Sequence, residues 1–120
     1  MKESLIKEKS YAFALKVIGL YKFLYSKNEY VLSKQVLKSG TSIGANVEEA
    51  LAGQSRADFL SKMSIASKEA RETKYWLSLL IDGGFIEKDR ISDIVSECDS
   101  LIKILTSIVK TTASTKNKKP

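Results

Sequence analysis

The sequence predicts an all-α protein built as an antiparallel helical bundle, and three observations carry that expectation. The only proline of the 120 residues is Pro120, the last, so no internal residue removes a helical N–H or clashes with the preceding turn. Apolar residues recur at steps of three and four through four successive segments, which is the period of one face of an α-helix. Short polar or glycine-bearing breaks, SKNEY and IDGGFIEKDR among them, separate the segments. A chain of this length forms one domain with one modest core.

The first segment, Ser4 to Lys27, carries two apolar stripes. Phe13, Val17, Leu20 and Leu24 mark one; Tyr11, Leu15, Ile18 and Tyr25 mark the other. A helix that is apolar most of the way round is covered on most sides, and a small bundle cannot surround one of its own helices. The second stripe is read as a surface for self-association, with a broad core-facing helix as the alternative.

The second segment, Glu29 to Gly53, contains LKSGTSIGANVEEALAG. Two glycines four apart among hydroxyls resemble a phosphate-cradling loop. The rhythm Leu32, Val36, Ser39, Ile43, Val47, Ala50 nevertheless runs straight through them. No Gly-Lys-Ser/Thr ending follows and no strand precedes. Gly40 and Gly44 are expected inside the helix, as a ridge that admits a neighbouring backbone.

The third segment, Arg56 to Ile81, keeps the seam Phe59, Met63, Ala66, Ala70, Thr73, Leu77, Leu80; the fourth, Asp89 to Lys110, keeps Ile91, Ile94, Cys98, Leu101, Leu105, Ile108. Both match the a and d positions of an antiparallel bundle. Asp82-Gly83-Gly84 ends the third helix, and Glu87 and Asp89 favour the positive start of the fourth. The bundle is expected over residues 1–110. Residues 111–120, TTASTKNKKP, lack apolar periodicity and are expected to form a disordered basic tail.

There is no histidine, which removes Ser-His-Asp and Cys-His nucleophile systems, His-containing zinc sites and the Glu-x-x-His bundle site. Cys98 is alone, so no intrachain disulfide forms, in keeping with a reducing cytoplasm. The N-terminus lacks an apolar run of signal-peptide length, and no stretch is apolar enough to span a bilayer. A cytoplasmic chain without cofactor or metal is expected. Asn46, Glu49, Glu69, Arg71 and Glu72 are read as one structural polar network across the second and third helices. A carboxylate metal site is the weaker reading, because the usual first ligands are missing.

Charge is unevenly placed. Residues 1–27 hold six lysines against Glu3 and Glu8, a net +4 within a chain total of +6. Lys2, Lys7 and Lys9 are the first candidates for nucleic-acid contact. Lys116, Lys118 and Lys119 of the tail come next, then Arg56 and Lys62. The aromatic residues are assigned to core or interface, so little base stacking is expected.

The stretch Leu37 to Leu80 carries a resemblance. Thr41, Ser42, Ile43, Asn46 and Glu49 form one block; Ser55, Asp58 and Phe59 a second; Lys68, Glu69, Glu72 and Trp76 a third. Together they resemble the central signature of the bacterial four-helix-bundle family encoded in intervening sequences of large-subunit ribosomal RNA genes. The resemblance implies an up-down-up-down left-handed bundle assembling as a homopentamer. It also implies kinship with the accessory protein of diversity-generating retroelements, which binds nucleic acid and a reverse transcriptase. The expected function is a non-enzymatic oligomeric scaffold that binds RNA or DNA and serves a nucleic-acid enzyme. The alternative is a protein–protein adaptor that binds no nucleic acid.

Overall fold

The computed structural model describes residues 2–117, with side-chain surroundings for residues 3–114. Four long helices account for almost all of it: α1 (Lys2–Ser26), α2 (Leu32–Leu51), α3 (Arg56–Asp82) and α4 (Ser92–Asn117), with a single 3₁₀ turn at Lys88–Ile91 before α4. Each helix packs on two neighbours, closing the ring α1–α2–α3–α4, with α2–α3 the most extensive contact and α1–α4 the least. Connections of a few residues make successive helices antiparallel, and the result is a rod of 56 × 22 × 21 Å.

Local chemistry sets the helix ends. Asn28 takes a left-handed conformation, φ 68°, and stops α1. The Glu29 carboxylate then accepts from the backbone N–H groups of Val31, Leu32 and Ser33 at 3.2, 3.0 and 2.6 Å. An anion on the otherwise unpaired N–H groups of a helix start is favourable for both hydrogen bonding and the helix dipole. Ser55 caps α3 by accepting from the Asp58 N–H at 3.1 Å. Gly84, at φ +80°, turns the chain out of α3, while the Phe85 N–H reaches back to the Leu80 carbonyl at 2.9 Å.

The expected seams form the core. Phe13, Val17 and Leu24 on α1 are fully buried, as are Val36, Ile43 and Val47 on α2 and Met63, Ala66 and Ala70 on α3; on α4 the same holds for Cys98, Leu101 and Leu105. Gly40 is buried inside α2, and a Cβ there would sit 2.9 Å from both γ carbons of Val17. Gly44 is looser: its Cβ would meet the Ser10 carbonyl and hydroxyl oxygens at 3.4 Å, an ordinary contact. Both glycines face α1, the first tightly.

The boundary placed at Lys110 is corrected. α4 continues through residues 111–117. Thr112 is 9% exposed, and its hydroxyl donates to the Ile108 carbonyl at 2.7 Å. That bond satisfies the one polar group which the apolar rhythm could not accommodate. With no proline or glycine in the way, the helix has no local reason to stop at Lys110. Residues 118–120, including Lys118 and Lys119, lie outside the described residues.

Candidate nucleic-acid interface

The antiparallel order brings the start of α1, the start of α3 and the end of α4 to one pole of the rod. A cleft of about 460 Å³ marks it, lined by Glu3, Ser55, Arg56, Phe59, Thr111 and Thr112. Of the expected contact residues, Lys2 begins α1, Arg56 begins α3 and Lys116 lies in the last turn of α4. Sequence distance hid this grouping: more than fifty residues separate each from the next.

Other expected contacts are engaged. Lys7 lies 4.0 Å from Glu48 of α2, and Lys62 lies 2.8 Å from Glu49. Both pairs are solvent-exposed, so each adds little to stability, but each offsets a positive charge. Lys9 and Arg56 make no ion pair among the described residues. Lys16 instead bridges α1 to α4, reaching Asp93 at 3.2 Å and also Glu97. Those hydrogen bonds raise its pKa above the ordinary lysine value. The same bond holds the Asp93 carboxyl below its ordinary value.

The residues read as one polar network have separate partners. Asn46 donates within its own helix, to the carbonyl and hydroxyl of Ser42 at 2.9 and 3.0 Å. Glu49 pairs with Lys62. Glu72 accepts from the Trp76 indole at 3.3 Å. Arg71 turns the other way and donates to the Thr106 hydroxyl on α4 at 2.8 Å. Glu69 has no ion pair among the described residues. Desolvation and the neighbouring Glu72 carboxylate push its pKa up, with Lys38 partly opposing. No group of three potential metal ligands occurs among the described residues. Sequence spacing put these side chains near one another but could not say which helix stands beside each.

A buried polar link between α2 and α3, beside the exposed Glu49–Lys62 pair, was not singled out in the sequence. The Thr73 hydroxyl lies 2.7 Å from the Glu69 carbonyl and 2.8 Å from the Ser39 hydroxyl, with both side chains buried. The carbonyl can only accept, so Thr73 donates to it and Ser39 donates to Thr73. Cys98 is equally committed. Its thiol donates to the Ala70 carbonyl at 3.3 Å, and burial pushes its pKa up to about 12, which removes thiolate chemistry.

Two surface features remain. Tyr11, Leu15 and Tyr25 of α1 are 65%, 55% and 52% exposed, and Ile18 beside them is half-buried. On the far side, a groove of about 680 Å³ runs between α3 and α4, lined by Arg71, Lys74, Tyr75, Asp99 and Lys103 among others. Tyr75 is 57% exposed, so it is not part of the core of the chain. Its neighbour Trp76 is the half-buried member of the pair.

Residues 2–107 match the family described as 23S rRNA-intervening sequence protein. The chain belongs to that family. Among solved structures it is similar to a crystal structure from Bacteroides thetaiotaomicron, described as a protein of unknown function from the S23 ribosomal protein family. The two share 50% identity over 92% of this chain and 99% of that one, with a TM-score of 0.89. The comparison with curated proteins finds no match. The 23S rRNA-intervening sequence protein family thus supplies the fold, and neither match names a catalytic activity. Among the described residues, no helix is long and apolar enough to cross a membrane.

Proposed function

We propose that this intervening-sequence protein is a non-enzymatic oligomeric scaffold that binds RNA or DNA through its basic surface. The observation that supports it is the pole of the bundle, where Lys2, Arg56 and Lys116 are brought together by helix ends far apart in sequence. A single chain of net charge +6 releases few counterions and binds a polyanion weakly. Assembly changes that. The stripe of exposed Tyr11, Leu15 and Tyr25 with half-buried Ile18 is the proposed surface between copies. Five copies gather a formal +30 on one particle, where contacts too weak alone act together.

The partner class, by resemblance to the retroelement accessory protein, is a reverse transcriptase or another nucleic-acid enzyme working in the cytoplasm. The second reading, a protein–protein adaptor, draws on the same α1 stripe and needs no nucleic acid. Salt separates the two. Filter retention of radiolabelled RNA by the intact protein should fall steeply between 50 and 200 mM salt. Retention of no RNA or DNA even at low salt leaves the adaptor in its place.

A further inference from the structure

We propose that the groove between α3 and α4 is the seat of a single-stranded polynucleotide, with phosphates on Arg71, Lys74 and Lys103 and a base on the ring of Tyr75. The inference rests on the reading that the chain binds nucleic acid, and it names where.

Charge is the first argument. In this groove three cations face one acid, Asp99. The cleft at the basic pole balances Arg56 with Glu3, and the cleft between α1 and α2 balances Lys7 with Glu48. At the opposite pole Lys27 and Arg90 face Glu87, and Arg90 is laid over the Phe23 ring at 4.6 Å. Of these clefts, the α3–α4 groove thus has both the larger excess of cations over acids and the larger volume, about 680 Å³.

Its donors are also available. Arg71 gives one N–H to Thr106 and keeps the rest of a five-donor fork. Lys103 is exposed and makes no ion pair among the described residues. Lys74 is held by Asp99 at 2.6 Å, which fixes its ammonium at the groove; that hydrogen bond and the Asp99 charge hold its pKa above the ordinary lysine value. The cations continue beyond the groove. Lys68 lies one turn before Arg71, and Lys110 lies seven residues after Lys103, about 10 Å along the same helix face and toward the basic pole.

The aromatic ring decides the class of ligand. Tyr75 packs edge-on against Trp76, with centroids 5.2 Å apart and planes at 66°, so one side of the ring is braced while most of the residue stays open to solvent. A cationic track with an accessible aromatic ring is how sequence-tolerant single-strand binders hold backbone and base together. Bases in a duplex already cover one another's faces and cannot use the ring.

The test measures fluorescence anisotropy of fluorescein-labelled 20-mers of oligo(U) and oligo(dT), and of a 20-base-pair duplex, with the full chain in low salt. Arg71→Gln with Lys103→Gln should weaken both single strands about tenfold and lower the salt slope by about 1.4, the loss of two phosphate contacts on a single strand. Tyr75→Ala should weaken single strands at least threefold and the duplex less, with Tyr75→Phe restoring binding. Lys34→Gln with Lys88→Gln, equal in charge and outside the groove, should change binding less than twofold. All five positions are exposed, so unchanged helical circular dichroism is expected throughout. Equal losses from the two double variants, no effect of Tyr75→Ala, or displacement of the oligonucleotide by polyglutamate at equal charge would overturn the groove while leaving nucleic-acid binding in place. Failure of the unaltered protein to bind any of the three probes overturns the broader reading and the groove with it.

Discussion

Replacing Gly40 and Gly44 separately by alanine should shift stability in opposite directions. Each glycine costs the helix ~1 kcal/mol relative to alanine, so each substitution begins with that gain. At Gly44 the new Cβ lies 3.4 Å from the Ser10 oxygens, ordinary contact, and the gain is kept. At Gly40 it lies 2.9 Å from both γ carbons of Val17. Val17 is fully buried and β-branched, stiff at χ1, so it cannot swing aside. Overpacking of this kind costs roughly 1–3 kcal/mol, which leaves Gly40→Ala destabilised by ~1 kcal/mol net. At this chain length 1 kcal/mol corresponds to about 4 °C in Tm, so the two variants should differ by roughly 8 °C. The assay is thermal unfolding by circular dichroism at one fixed protein concentration, since assembly makes Tm concentration-dependent. Val17→Ala should relieve the clash, so the double variant with Gly40→Ala should show a favourable coupling of at least ~0.5 kcal/mol. If both alanine variants gain stability, or Gly40 and Val17 do not couple, the close approach of α1 to α2 is not what these glycines provide.

Thr73→Val should cost about 1–3 kcal/mol in chemical denaturation, because it strips the buried Ser39 hydroxyl of its acceptor; adding Ser39→Ala should recover part of the loss. Cys98, with a thiol pKa pushed up to about 12, should not react with Ellman's reagent at pH 8 in the native protein and should release one equivalent in denaturant. Glu69 has a folded pKa raised above its unfolded value, so its contribution is favourable at low pH and is lost as pH rises through the folded pKa. Glu69→Gln should therefore raise Tm more at pH 7 than at pH 4; an equal shift at both would deny the desolvation of that carboxylate.

Much of the bundle was legible because its seams are periodic. Every seam residue named on the fourth segment, Ile91 through Ile108, is buried, since a step of three and four leaves only one face for them. The end of α4 was not legible, because TTASTKN has neither a breaker nor a strong apolar repeat; Thr112 takes the next seam position after Ile108, with its hydroxyl satisfied by its own helix. The polar side chains of α3 were harder still. Glu69, Arg71 and Glu72 are neighbours in sequence, yet Arg71 reaches α4 while Glu72 takes the Trp76 indole. Directions around a helix follow from position, but partners follow from which helix stands beside it. The same limit hid the α3–α4 groove. Arg71, Lys74 and Tyr75 form a visible cluster in sequence, whereas Lys103 joins them only once α4 folds back.

The most direct test of the central claim, that an assembly rather than a lone chain holds nucleic acid, is native mass spectrometry of the full chain with a 20-nucleotide RNA across an ammonium acetate series. A protein peak is expected at a multiple of the 13.3 kDa chain mass, five copies favoured. RNA should be attached to that peak at low salt and lost as salt rises, while the protein multiple persists. A clean 13.3 kDa monomer, or an oligomer that carries no RNA at the lowest salt, would contradict it.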